Sequence, residues 1–120
     1  MGRIDRVNQA VKEEVSVIIH RELKDPRLGF VTITEAQVSR DLQHAKVYFS
    51  VLGDETKIKQ AQEGFNSARG FIRKLIGQRI RMRYTPEIDF IYDKSIKYGA
   101  QIERALGRIK NEIPDDNTSD

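Results

Sequence analysis

Ala45, Val47, Phe49 and Val51 alternate with Lys46, Tyr48 and Ser50, the period-two signature of a strand with one covered and one wet face. The preceding run Val31-Thr32-Ile33-Thr34-Glu35-Ala36-Gln37-Val38 is rich in branched residues and reads as a second strand. The polar stretch Ser39-Arg40-Asp41-Leu42-Gln43 joins the two into a hairpin. Glu87-Ile88-Asp89-Phe90-Ile91-Tyr92 reads as a third strand. It follows a helical connection, which allows it to lie parallel to a neighbour in a mixed sheet.

The covered face needs helices, and the 3.6-residue period supplies them. Ile4, Val7, Val11, Val15 and Ile18 share a stripe that Arg6, Lys12, Glu13 and Arg21 avoid, so a helix runs from Ile4 to Leu23. Asp5 sits near its start, and Lys24-Asp25-Pro26 stops it, because proline disfavours helical geometry in the residue before it. Asp54 is a candidate cap for a second helix opened by Ile58, Ala61 and Phe65. That pattern contains Gly70, a kink or a close approach, and Gly77, a natural terminator. Beyond Gly77, Ile80, Met82 and Tyr84 alternate with Arg79, Arg81 and Arg83, predicting an extended segment with three arginines on one side. Asp93 and Ser95 begin a last helix through Ile96, Ile102, Leu106 and Ile109. The fold class is α+β: a three-stranded mixed sheet with helices packed on one face and the other face partly open.

Charge is distributed unevenly over this frame. The net charge is +3, but the last seven residues, PDDNTSD, hold three acids and no base, leaving 21 basic against 15 acidic residues elsewhere. That tail, residues 114–120, reads as disordered beyond a single domain of residues 1–113. Between Gly64 and Pro86 lie Arg69, Arg73, Lys74, Arg79, Arg81 and Arg83 without one Asp or Glu. The same segment carries Phe65, Ala68, Ile72, Leu75 and Ile76 at helical spacing, so one side is written for the core and the other for a polyanion. The charge alone allows RNA, DNA, anionic lipid or an acidic protein as partner.

Other classes are narrowed by what the chain lacks. There is no Cys among the 120 residues, which removes disulfides and Cys-based zinc sites and suits a reducing, cytoplasmic setting. The charged N-terminus has no signal-peptide core, Arg6 stands where a myristoylation signal wants Ser or Thr, and no apolar run approaches a membrane span. No HExxH, GxSxG or Walker pattern is present, and no carboxylate spacing implies a metal. A nuclease would have to be built from His20, His44 and Asp41, whose convergence in one site is required for acid–base work. No cofactor or small-molecule substrate is implied, and no exposed apolar stripe demands a dimer, so a monomer is expected.

Four spaced signatures carry a family resemblance. Arg21-Glu22-Leu23-Lys24-Asp25-Pro26-Arg27-Leu28-Gly29-Phe30-Val31-Thr32-Ile33-Thr34 is the first, and Ser39-Arg40-Asp41-Leu42 leading into Ala45-Lys46-Val47-Tyr48 is the second. Ala68-Arg69-Gly70 followed by Arg73 is the third, and Arg83, Pro86-Glu87-Ile88, Phe90, Asp93, Ser95 and Gly99 form the fourth. Together they resemble bacterial ribosome-binding factor A over roughly Val7 to Ile109. The resemblance implies a type II KH-like domain in which a helix–kink–helix at Ala68 and Gly70 replaces the GXXG loop, and no GXXG occurs in this sequence. It further implies an RNA-binding, non-enzymatic factor acting on 16S rRNA and the immature 30S subunit. Late maturation, 16S rRNA 5′-end processing and cold adaptation are roles of that family.

The expected rRNA contacts are Arg69, Arg73, Lys74, Arg79, Arg81 and Arg83. Secondary candidates are Arg3, Arg6, Lys24, Arg27, Arg40 and Lys46, for which ordinary surface charge is an equal reading. Asp25, Asp41 and Asp93 lie at element boundaries and read as turn or capping groups. Tyr48, Tyr84, Tyr92 and Tyr98 could stack on bases, although strand and helix tyrosines are more often packed. Two rival classes are a general KH-like RNA-binding module and a protein-interaction module for acidic partners, the latter distinguished by insensitivity to RNase.

Overall fold

The alternating segment becomes the centre of the sheet. In the computed structural model, which describes residues 2–95, strands β1 (Val31–Val38), β2 (His44–Val51) and β3 (Glu87–Tyr92) lie in the order β1-β2-β3. β1 and β2 are antiparallel, pairing from Val31 with Val51 to Val38 with Ala45. β2 and β3 are parallel, from His44 with Glu87 to Phe49 with Tyr92, so the sheet is mixed as its connections predict. A parallel pair needs a long crossover, and helix α2 (Glu55–Arg79) provides it. Helix α1 (Arg3–Val17) precedes the sheet, is prolonged by a π-helical turn (Ile18–Glu22), and leads through a 3₁₀ turn (Pro26–Leu28) into β1. The helix expected through Ile96, Ile102, Leu106 and Ile109, the domain boundary at residue 113 and the acidic tail all lie outside the described residues.

One face of the sheet is dry. Ala45, Val47 and Phe49 of β2, with Ile88 and Phe90 of β3, are buried against Val11, Val15 and Ile18 of the first helix and Ala61, Phe65, Ile72 and Ile76 of α2. Phe65 anchors α2 there. Its ring stacks on Phe90 with centroids 4.3 Å apart and tilts against Phe49 at 4.9 Å. Aromatic pairs at such distances add to the free energy of burial itself.

β1 does not keep strict alternation. A register shift between Ile33 and Glu35 leaves Thr34 as an extra residue, so Val31 and Ile33 point inward, then Ala36 and Val38. The bulge thereby changes the inward parity within one strand. Thr34 is not idle, since its Oγ1 donates to Asp93 Oδ2 at 2.7 Å, tying β1 to the residue after β3. The outer edge of β1 is met by side chains at both ends. Val38 N donates to Asn8 Oδ1 at 2.8 Å, and His20 Nε2 lies 3.0 Å from the Val31 carbonyl, which places the proton on that nitrogen. On β3, Gln62 Nε2 donates to the Phe90 carbonyl at 3.1 Å.

Several local expectations are realised atom by atom. Asp54 caps α2 by accepting from Lys57 N, Asp25 accepts from Arg27 N, Asp41 from Gln43 N, and Asp93 from Ser95 N. Others need correction. α2 is one continuous 25-residue helix, so no break in its helical assignment falls at Ala68-Arg69-Gly70, where a kink is expected. Gly70 is not a packing glycine either: a β-carbon there would meet nothing within 4 Å. The close approach falls at Gly64, where a β-carbon would lie 3.2 Å from Cγ and Cδ2 of buried Leu28. Gly77 does not terminate the helix, which continues to Arg79. It instead seats the following loop, because a β-carbon on Gly77 would lie 2.6 Å from Thr85 Oγ1. The extended segment predicted for Arg79 to Tyr84 is the last helical residue followed by an irregular loop, since helix hydrogen bonding from Ile80 N to the Ile76 carbonyl still holds its start.

Candidate nucleic-acid interface

A helix displays side chains three and four apart on one side, and the inner side of α2 is taken by Ala61, Phe65, Ile72 and Ile76. Its remaining surface carries Arg69, Arg73, Lys74 and Arg79, and the loop to β3 carries Arg81 and Arg83. The six do not have equal freedom.

Arg73 is turned onto the backbone. Its Nε donates to the Pro86 carbonyl and its Nη2 to the Thr85 carbonyl, each at 2.9 Å, with Glu87 at 3.6 Å. It pins the end of the loop to α2. Arg79 is held by carboxylates, with Nη2 2.9 Å from Glu22 and Nη1 3.4 Å from Glu14. The hydrogen bond to Glu22, reinforced by Glu14, raises its pKa further above the guanidinium norm. This bridge ties the end of α2 to α1 and its π turn. Arg69 is half-buried, donating from Nη2 to Asn66 Oδ1 at 3.0 Å, while its buried Nε has no protein partner. Lys74, Arg81 and Arg83 are exposed, and none pairs with a carboxylate among the described residues. The Arg83 guanidinium lies 5.6 Å from the centroid of the Tyr84 ring.

The secondary candidates divide between the two ends of the sheet. Arg40 lies in the β1–β2 loop and Lys46 near the start of β2. Asn8 reaches Val38, which puts the first turns of α1, with exposed Arg3 and Arg6, towards that same end. Gln43 O accepts from Glu87 N, so the loop carrying Arg81 and Arg83 enters β3 there as well. Lys24 and Arg27 are at the other end, before β1 begins. Arg27 is further occupied by Asp25, whose carboxylate it meets at 2.8 Å. That hydrogen bond lowers the Asp25 pKa and raises that of Arg27. Asp41 is lowered too, chiefly by the Ser39 hydroxyl donating to it, then by Gln43 N.

The histidines are also separated. His20 binds the carbonyl of the first residue of β1, whereas His44 faces the far end of that strand through its carbonyl, which accepts from Ser39 N. Along eight residues of strand this is a separation of roughly 20 Å, so His20 does not converge with His44 and Asp41. Among the described residues no three His, Asp or Glu side chains group as a metal site would need. No helix among them is long and apolar enough to cross a membrane.

A mixed three-stranded sheet covered on one face by α1 and α2 defines a KH-like α+β domain. The crystal structure of ribosome-binding factor A from Thermus thermophilus has the same fold, with a TM-score of 0.68 at 24% identity over 77% of this chain and 97% of that one. A homology model of the Thermus thermophilus factor, fitted into a cryo-EM map of a 30S–RbfA complex, matches with a TM-score of 0.60 at 24% identity, covering 72% of this chain and 91% of that one. In sequence, the family model for ribosome-binding factor A matches residues 3–106. Ribosome-binding factor A of Halothermothrix orenii is 50% identical over 114 residues, spanning 95% of this chain and 93% of that protein. The chain belongs to the ribosome-binding factor A family.

Proposed function

We propose that this chain is a non-enzymatic assembly factor that docks on the immature small ribosomal subunit and contacts 16S rRNA with the C-terminal half of α2 and the loop after it. The observation that carries this reading is the acid-free run from Gly64 to Pro86, with Lys74, Arg81 and Arg83 exposed and held by no carboxylate among the described residues, beside half-buried Arg69. Membership of a ribosome-binding family, and a relative placed in a 30S complex, support the choice of partner over other polyanions. Arg73 and Arg79 act within this surface by holding it together, while the other four meet phosphates. Phosphate contacts position a protein without reading sequence, so selectivity rests on the shape of the immature rRNA site. By stabilising one rRNA conformation the factor promotes late maturation, including 16S 5′-end processing and assembly in the cold. The working unit is residues 1–113, in the cytoplasm and as a monomer.

Sedimentation of cell extract, followed by crosslinking, tests the partner: the protein co-migrates with small-subunit precursors and crosslinks to 16S rRNA. The four phosphate-contacting cations set the salt dependence. With roughly −0.9 in log–log slope per neutralised phosphate, the slope is about −3.6. A flat salt response, or migration away from small subunits, contradicts the proposal, and trimming of precursor rRNA by the purified protein contradicts its non-enzymatic part.

A further inference from the structure

The most exposed large apolar side chains among the described residues are not on α2. Leu52 is 77% and Phe30 69% exposed, and the two are neighbours, because Leu52 N donates to the Phe30 carbonyl at 3.3 Å just beyond the Val31–Val51 pair. A lone apolar residue in water is ordinary, but two adjoining ones on the last rung of a hairpin form a patch that the described residues leave uncovered. The patch stands at the end of the sheet away from the β1–β2 loop.

The chain leaves the described residues at that same end. β3 runs parallel to β2, Tyr92 is level with Phe49, and Asp93 N donates to the Phe49 carbonyl. There the strand gives way to a helical turn at Lys94 and Ser95. Asp93 opens that turn and ties it to the sheet, with Oδ1 accepting from Ser95 N at 3.0 Å and Oδ2 from the Thr34 hydroxyl of β1 at 2.7 Å. Counting three residues on from the Phe49–Tyr92 pair brings Ser95 abreast of Leu52, roughly 5 Å across by strand spacing, with Phe30 roughly 10 Å across.

In the sequence that follows, Tyr98, Ile102, Leu106 and Ile109 recur four, four and three apart, while Lys97, Arg104 and Arg108 fall off that line. Gly99 and Gly107 lower the intrinsic helicity of such a stretch, so a helix there depends on burying its apolar line. With a helical rise of about 1.5 Å per residue, Tyr98 stands about 5 Å and Ile102 about 10 Å beyond Ser95, matching the two spans to Leu52 and Phe30. A second copy of the chain fits less well, since two side chains fall far short of the roughly 800 Å² per partner that a specific dimer buries. A segment tethered beside the patch acts at high effective concentration.

We propose that residues 96–109 cover this end of the sheet as an amphipathic helix, Tyr98 packing on Leu52 and Ile102 on Phe30.

The chain holds no Cys, so introduced cysteine pairs report the contact in the full chain without background. Phe30→Cys with Ile102→Cys closes an intramolecular disulfide about tenfold or more faster than Phe30→Cys with Arg104→Cys, which stands off the apolar line. Leu52→Ala and Tyr98→Ala each lower the urea midpoint, and the double variant falls no further than the larger single one, as a shared contact requires. Equal rates for the two cysteine pairs, or a Leu52→Ala protein with the parent midpoint, overturn the proposal. Disulfide-linked dimers, together with concentration-dependent sedimentation of the parent, overturn it in favour of a second copy. Amide protection at Leu52 that arises only when small subunits are added overturns it in favour of a ribosomal partner.

Discussion

Gly64 of α2 faces Leu28 of the 3₁₀ turn so closely that a β-carbon added to the glycine would lie 3.2 Å from two Leu28 carbons. Leu28 is fully buried and has nowhere to retreat. Gly64→Ala is therefore expected to destabilise the protein by about 1 kcal/mol, with overpacking outweighing the gain in helix propensity. Gly70→Ala has open space at an interior helix position and is expected to stabilise by up to about 1 kcal/mol. Urea unfolding of the two variants reads both signs.

Arg73 donates to two backbone carbonyls that an ammonium could not span in the same way. Arg73→Ala and Arg73→Lys are both expected to quicken amide exchange at Thr85 and Glu87, and the alanine variant to lose about 1 kcal/mol or more of stability. Unchanged exchange in both variants would show that Gly77 and Pro86 hold the loop without it.

Arg79 and Lys74 are separated by their partners. Because Glu14 and Glu22 already occupy the Arg79 guanidinium, Arg79→Ala is expected to leave the salt slope of small-subunit binding nearly unchanged. Lys74→Ala or Arg81→Ala lowers that slope by about 1, one phosphate contact each. A slope that falls as much for Arg79→Ala would mean that the Glu bridge opens on the RNA.

The folded-state pKa values of Asp25 and Asp41 are lowered by the Arg27 and Ser39 hydrogen bonds respectively. A carboxyl depressed on folding contributes stability above its ordinary unfolded pKa, near 4, and loses it as pH falls through the lowered value. The melting temperature is thus expected to fall on acidification below about pH 4, and to fall less steeply in Asp25→Asn and Asp41→Asn. Parallel curves for parent and variants would remove both groups as the cause.

The frame of the fold was written in the periodicities, because a half-covered strand and an amphipathic helix each leave a distinct spacing. The strand at Ala45–Val51 follows from it, while the Asp54 cap was legible in a residue type at a helix start and the parallel third strand in the helical connection before it. The bulge was less visible, although its mark is present: Val31 and Ile33 are in one phase and Ala36 and Val38 in the other. The two glycines show what periodicity can still offer when it is applied fully. Gly64 falls on the stripe of Ala61, Phe65 and Ala68 and so faces the interior, while Gly70 falls opposite. The candidate site was legible as charge and not as geometry. Nothing local to Arg79 announces Glu14, 65 residues away, and nothing local to Arg73 says that it turns inward onto Thr85 and Pro86.

Asn8 and His20 on one border of the sheet, and Gln62 on the other, occupy backbone groups that an incoming ribbon would need. Recruitment by strand addition is thereby discouraged on both flanks, and copies of the molecule have little means of zippering together in the crowded cell. Whatever docks must read protruding side chains, which keeps the surface of α2 and its loop available to the target.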